Sequence, residues 1–389
     1  MSAPPLSVYV HWPYCARVCP YCDFNVTRAR GGDEPAALAQ AILADLAGQA
    51  RLIGPRRLAS LFLGGGTPSL MPPDAIAAIL ATARRLWPTT EAVEVTLEAN
   101  PADGAGFAAI AAAGVNRLSL GVQSLDDAAL AFLGRDHDAA TARRALDAAL
   151  GLFPRVSIDL IYARPGQTPA AWARELGEAA TLGAGHLSPY QLTIEEKTAF
   201  GRAARRGTLT PIGEDLGAAL YDATQDVLGA AGFDAYEVSN HARSPADRAR
   251  HNLAGWRGDD YLGAGPGAHG RLTTAEGRVA TLGARRASDY IDRVQRTGVG
   301  LAEQTRLSAR EAATERLLMG LRTREGVPWA ALAPLGLRPH APVVAELADG
   351  GWVEAGPAAL VATAAGRRVL DHITGRLATA EEGALQHAG

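Results

Sequence analysis

Three cysteines are all that 389 residues contain, and they fall together in Cys15-Ala-Arg-Val-Cys19-Pro-Tyr-Cys22. Clustering of this kind leaves no partners for a disulfide framework and places the three thiols in one site. Thiolates three and two residues apart can wrap three corners of a cubane iron–sulfur cluster, because the intervening backbone is short enough to fold around it. Three protein ligands would leave the fourth iron open. Structural zinc is a second reading, but it takes four tightly held ligands, and the nearest histidine, His11, precedes the loop on a predicted strand. A redox pair at Cys19 and Cys22 is a third, and it leaves Cys15 without a role.

The loop needs elements to hold it. Short apolar runs rich in β-branched and aromatic residues recur at 6–11, 60–63, 93–98, 117–123, 156–162 and 186–193, the pattern of buried strands. Between them, Ala- and Leu-rich stretches of helical period occupy 34–53, 74–86, 103–113, 139–152 and 170–182. Repeated βα units imply a parallel sheet covered by helices, here an α/β fold of the partial (β/α)6 TIM-barrel type. A doubly wound open sheet is the competing topology. The barrel is favoured because polar residues gather where the strands end: His11, Gly64 to Thr67, Glu98 and Asn100, Gln123, Asp159, Tyr190 and Gln191, and barrel chemistry sits at that face.

Beyond the sixth unit, a helical stretch at 214–231 leads to a predicted seventh strand at 235–239 and a Gly-rich segment at 261–270 that would close the core. From 308 a charged helix at 309–322, further helical stretches, a Gly350-Gly351 turn and a hairpin-like run to 362 read as a winged-helix-like module. The expected divisions are 1–235 for the barrel, 236–305 for the closing segment, 306–376 for the winged-helix-like domain and 377–389 for a frayed tail. Net charge is −3 with 20% charged residues, so no strong field points to nucleic acid. The first residues lack a basic region and apolar core, and no run reaches the roughly 18 apolar residues of a membrane span. The expectation is a cytoplasmic protein without a transmembrane segment.

Cys-x3-Cys-x2-Cys after the first strand, with Tyr21 before the last cysteine, resembles the radical S-adenosylmethionine (SAM) superfamily. Tyr9-Val-His11-Trp-Pro-Tyr-Cys15, Gly64 to Pro68, Glu98-Ala-Asn-Pro101, Arg117 to Ser124, Leu133-Gly-Arg135-Asp-His137, Asp159 to Gln167 and Leu187-Ser-Pro-Tyr190-Gln191 narrow the resemblance to the group of oxygen-independent coproporphyrinogen III oxidase, HemN, and its relative HemW. The resemblance implies a [4Fe-4S] cluster on Cys15, Cys19 and Cys22 with SAM on its open iron, whose reductive cleavage yields a 5′-deoxyadenosyl radical. It implies SAM contacts at Tyr9, Gly65, Gly66, Thr67 and Glu98, and a second SAM at Tyr21, Gln123, Arg135 and Asp159. The plain alternative for Glu98 and Asp159 is a buried salt bridge with Arg117 or Arg135.

Two features resemble HemW rather than HemN. Cys22 is followed by Asp23-Phe24, where HemN carries a further cysteine, and only 14 residues precede Cys15, where HemN has a long segment covering its porphyrinogen. HemW is regarded as a haem chaperone, with a His-Asn-x-x-Tyr-Trp motif implicated in haem binding. The corresponding residues here are His251-Asn252-Leu-Ala-Gly255-Trp256, with glycine in place of tyrosine. His251 as axial ligand and Trp256 as a flat face would take haem as cargo. The alternative for His251 is a loop histidine bonded to the Gly-rich backbone, and His241 is the reserve ligand. Two functions follow: a chaperone that binds haem and passes it to an acceptor protein, or a coproporphyrinogen III oxidase in porphyrin biosynthesis. An electron donor is implied if SAM is cleaved.

Overall fold

The computed structural model describes residues 3–29 and 31–379. Six strands, β1 (Pro5–Trp12), β2 (Arg57–Gly65), β3 (Glu94–Ala99), β4 (Arg117–Gln123), β5 (Val156–Tyr162) and β6 (His186–Gln191), pair in sequence order. Every pairing among them is parallel. Sequential order with all crossovers in one direction is the progression of a barrel; a doubly wound sheet would reverse direction at a switch point. Along β3 the pleat explains the curvature. Val95 and Leu97 are fully buried under the helices, while Glu94, Thr96 and Glu98 turn to the concave side.

Helices cover the convex side. Glu34–Ile53 buries Leu38, Ile42 and Leu46, Pro73–Leu86 buries Ile76 and Ile79, and Pro169–Ala180 buries Trp172 and Leu176. Their apolar stripes are what the sequence periodicity shows.

The closing elements differ from expectation. In place of a seventh parallel strand, two-residue strands Asp234–Ala235 and His241–Ala242 pair antiparallel to each other, the second also antiparallel to β6. Between them Glu237 accepts from the Ser239 amide at 3.1 Å and from the Asn240 side chain, turning the chain back before a crossover can form. The Gly-rich segment supplies β7 (Tyr261–Ala264), which runs parallel to β1 on the sheet edge opposite β6. It continues into an antiparallel meander of β8 (His269–Thr274), β9 (Gly277–Gly283) and β10 (Leu301–Arg306). The mixed sheet has β10 at one end and Asp234–Ala235 at the other, so the barrel stays open.

A buried carboxylate fixes β7. Asp45 accepts from the Tyr290 hydroxyl at 2.6 Å, the Gly300 amide at 2.8 Å and Gln49 at 2.9 Å, and Gln49 also donates to the β7 carbonyl of Gly263 at 3.0 Å. The Gly265 amide donates to the same Tyr290 hydroxyl at 2.9 Å.

A second apolar core, including Leu317, Val327, Val344, Leu347, Leu360 and Ile373, holds the C-terminal module. Its first helix, Ala309–Gly320, starts at a Ser308/Glu311 capping box. The strands Val327–Pro328, Val353–Ala355 and Ala359–Ala362 form the wing. The helix Leu370–Ala378 runs past the start of the expected tail at 377 and buries Leu377, and residues 380–389 lie outside the described residues.

Tyr290→Phe should lower stability by roughly 1–3 kcal/mol, because it strips one donor from buried Asp45 and the acceptor from the Gly265 amide. Urea unfolding of the pure protein checks this, and a change below a few tenths would deny the knot any part in holding β7.

Candidate cluster and cofactor site

β1 ends at Trp12, and the chain enters the cysteine loop through Tyr14–Cys15, paired in parallel with Thr27–Arg28. The loop is pinned at several points. His11 Nε2 donates to the Asn25 carbonyl at 2.9 Å, which leaves Nδ1 to accept from the Tyr9 hydroxyl at 2.8 Å. Asn25 in turn donates to the carbonyls of Pro266 and Arg285 at 2.9 and 2.8 Å. The Phe200 amide donates to Pro20 at 2.9 Å.

The glycine loop after β2 packs against this one. The amides of Gly66 and Thr67 donate to the carbonyls of Trp12 and Tyr14 at 2.7 and 2.9 Å. A Cβ on Gly66 would lie 2.8 Å from those backbone atoms, and one on Gly65, whose φ is +112°, 2.5 Å from the His11 ring. These glycines therefore permit contact between two loops.

Together the loops form the rim of a cavity of about 660 Å3 on the concave side of the sheet. All three cysteines are free and line it. Among the described residues no three His, Cys, Asp or Glu side chains converge on a single-ion site. Tyr21, Gly65, Gly66 and Thr67 line the cavity, as do Glu98, Gln123, Arg135, Asp159 and His251. Tyr9 does not line it: its ring stacks on Phe62 at 5.7 Å.

The polar walls are incompletely satisfied. Glu98 accepts from the Gly65 amide at 2.9 Å, and Asp159 accepts from Ser119 at 2.9 Å. Among the described residues neither forms an ion pair, so the salt-bridge alternative falls. Arg117 pairs instead with Glu94, and Arg135 donates to Cys19 Sγ at 3.4 Å and to the Gly121 carbonyl at 3.2 Å. Burial, with Asp159 nearby, raises the Glu98 pKa to about 7, and burial raises that of Asp159 to about 6. Asp159 Oδ1 and Arg135 Nε are buried without partners. Gln123 sits at φ 65°, a left-handed backbone unusual outside glycine. An acceptor and a donor left open toward one cavity fit a polar, zwitterionic ligand beside the thiols.

On the cavity floor lies His251, in the helix Arg250–Trp256 rather than in a loop. Glu94, missed at the sequence level, caps this helix by accepting from the Arg250 amide at 2.7 Å and the His251 amide at 3.3 Å. The same carboxylate faces His251 Nδ1 at 3.4 Å, and the imidazole lies flat on Phe62 at 4.2 Å and 4°. Trp256 does not share this surrounding: five residues on, a helix has turned about 500°, and the indole lies under the Arg322 guanidinium, 5.0 Å away. The two are not walls of one haem site. His241 is buried, pairs with Ala235 and Leu187 in the sheet, and does not line the cavity. The polar alternation of Glu94, Thr96 and Glu98 on one strand was the available signal for the floor.

A parallel partial barrel with a three-cysteine loop at the end of its first strand defines a radical SAM core. The chain matches the Radical SAM superfamily over residues 9–176 and the HemN C-terminal domain over 307–369. It is 43% identical over 331 residues to a bovine "Radical S-adenosyl methionine domain-containing protein 1, mitochondrial", covering 82% of this chain and 74% of that one. Identity is 37% over 355 residues to "Heme chaperone HemW" of Mycobacterium tuberculosis (90% and 89% covered), and 39% over 282 residues to that of Escherichia coli (72% and 73%). The structure of E. coli coproporphyrinogen III oxidase, HemN, superposes with a TM-score of 0.80 over 97% of this chain and 91% of that one at 21% identity, a likeness of fold. The chain belongs to the HemW family of radical SAM proteins.

The unpaired carboxylates lower stability in the absence of ligand. A raised acid pKa means that the folded state holds its proton while the unfolded state ionises, so stability falls as pH rises from about 4.5 to about 7. Glu98→Gln should stabilise the ligand-free protein at pH 8 by on the order of 1–3 kcal/mol and leave it unchanged near pH 4; equal melting curves at both values would refute this.

Glu94 behaves oppositely. Burial opposes its charge, but the bond from His251 and the Arg117 charge outweigh it and hold the carboxyl near 2. Its stabilisation is present above about 4.5 and is lost as pH falls toward 2. Glu94→Gln should cost about 3–5 kcal/mol at neutral pH by leaving buried Arg117 unpaired, with a shallower acid limb in denaturation; an unchanged acid limb would remove Glu94 as its source.

Proposed function

We propose that this chain binds haem and passes it to an acceptor protein, carrying a [4Fe-4S] cluster on Cys15, Cys19 and Cys22 with S-adenosylmethionine beside it. The observation that carries the reading is the meeting of three free thiols and unpaired polar groups on one cavity, in a chain whose relatives include proteins named haem chaperones. A cluster of this type supplies an open iron for the amino and carboxylate groups of SAM and a route for one electron. Glu98, held by the Gly65 amide, suits ribose hydroxyls or an ammonium, and Arg135 and Asp159 offer a donor and an acceptor to a second ligand.

For haem, His251 is the axial ligand in this reading. Its Nδ1 faces a carboxylate and its ring is fixed by Phe62, while Nε2 has no hydrogen-bond partner among the described residues and the side chain borders the cavity. Carboxylate support on the far nitrogen is how metal-binding histidines are commonly oriented. Trp256, turned toward the C-terminal module, has no part in it. No helix among the described residues is long and apolar enough to cross a membrane. Free thiols suit the reducing cytoplasm.

Anaerobic reconstitution followed by electron paramagnetic resonance and haem titration of one sample tests both halves. Cys19→Ser should abolish the cluster signal, and His251→Ala should remove or shift the Soret band of bound haem. Absence of any Soret change in the parent protein would sink the chaperone reading. Sustained protoporphyrinogen formation from coproporphyrinogen III would establish the oxidase instead.

A further inference from the structure

Both ligands proposed for this chain draw on one cavity of about 660 Å3. That volume falls in the ~300–1,000 Å3 range of pockets that hold a single drug-sized ligand, and the cluster itself would take a share of it. The haem candidate His251 and the SAM candidates Glu98, Arg135 and Asp159 belong to the same lining as the cysteines.

Strand register sets how far apart they lie. Phe62 of β2 and Thr96 of β3 are paired neighbours, and His251 is held at their level: Nδ1 lies 3.4 Å from Thr96 Oγ1, and the ring lies on Phe62. Glu98 is two residues further along the same face of β3, a step of about 6.6 Å toward the cysteine loop. At that next level Glu98 is paired with Ser119 of β4, whose hydroxyl donates to Asp159 of β5 at 2.9 Å. A polar band thus crosses the cavity one pleat above the imidazole.

The level beneath His251 is filled by the buried pair of Glu94 and Arg117. A planar macrocycle, many atoms across and centred one coordination bond from Nε2, therefore spreads upward across the band. There it meets groups that suit SAM and not itself. Glu98 and Asp159 form no ion pair among the described residues, and Asp159 Oδ1 is buried without a partner. The ammonium and sulfonium of SAM would satisfy these acceptors. An apolar ring face leaves them buried and unpaired, which costs their desolvation.

We infer that haem and SAM exclude each other from this cavity, so that His251 holds haem only while the Glu98–Asp159 band is empty, and SAM arriving at the cluster releases it. The inference rests on the cluster and haem sites proposed above and supplies their regulation. Such coupling is reciprocal: haem weakens the binding of SAM by the factor by which SAM weakens the binding of haem. SAM is then the signal for handing haem to an acceptor, and release requires no movement of the sheet.

Haem titration of the anaerobically reconstituted full-length protein, followed at the Soret band with and without SAM, tests this. With SAM at about ten times its own dissociation constant, the apparent Kd for haem should rise on the order of tenfold and continue to rise in proportion to SAM. Equilibrium dialysis with labelled SAM should show the converse loss on adding haem. Protein without the cluster has no anchor for SAM, so its haem titration should not respond. His251→Ala should remove the SAM-sensitive Soret change.

Superimposable haem titrations with and without SAM, while dialysis shows SAM bound, would overturn the exclusion. So would an apparent Kd that levels off at high SAM, the mark of a complex holding both ligands, or a SAM-sensitive Soret change that survives His251→Ala. A SAM response in cluster-free protein would equally refute it. Absence of any Soret change in SAM-free protein would strike the chaperone reading itself, and absence of SAM binding to the reconstituted protein would strike the SAM reading; either would take the exclusion with it.

Discussion

The barrel floor rests on one buried ion pair. Arg117 and Glu94 have side chains 1% and 0% exposed, with Nε and Oε2 3.0 Å apart. A charge in that position is tolerable only if every lone pair and proton is used, and here nearly all are. Arg117 also donates to the Arg248 carbonyl at 3.1 Å, and Glu94 collects the amides of Arg250 and His251. One pair thereby ties β3 and β4 to the chain segment that crosses beneath the sheet. Because that segment begins the helix Arg250–Trp256, the orientation of His251 is a consequence of the pair.

Four residues along the same strand, the electrostatics reverse. Glu94 is neutralised and stabilising, whereas Glu98 faces the cavity with one amide donor and a neighbouring carboxylate. A strand alternation that places both on the concave side cannot by itself distinguish them. Depth does: at the floor, arginines from neighbouring segments reach Glu94, and at the rim Arg135 is drawn to Cys19 and Gly121. The fold thus concentrates its satisfied charges where structure is needed and its unsatisfied ones beside the thiols. Such a division is expected where binding is bought with stability.

The six parallel strands and the polar strand ends were legible because each depends on local alternation and on a repeated βα rhythm. The position of β7 was not. It lies beside β1 through contacts between Asp45, Gln49, Gly263 and Tyr290, and no periodicity encodes a partner more than 200 residues away. The seventh strand failed for a local reason, since 235–239 has a strand-like composition but Glu237 makes a turn of it. His251 and Trp256 are paired by the resemblance of their motif, which carries no information on the local conformation. Once their segment is a helix, a spacing of five separates their faces, and the cap that makes it a helix is a glutamate 156 residues earlier.

That separation gives the C-terminal module a mechanical part in the site. Arg316 donates to the Trp256 carbonyl at 2.9 Å, and Arg322 covers its ring. The exposed pair of Arg257 and Glu325 lies alongside, and Arg271 meets Glu315 at 2.8 Å. Surface pairs of this kind contribute little singly. What matters is where they act: Arg316, Arg322 and the Arg257–Glu325 pair hold the C-terminal end of the helix whose N-terminal end Glu94 caps, while Arg271 and Glu315 tie the module to β8. The helix is therefore clamped from the barrel at one end and from the winged module at the other, and His251 sits at the barrel end. A displacement of the module would be transmitted to the cavity floor through seven residues of helix, without any change in the cysteine loop.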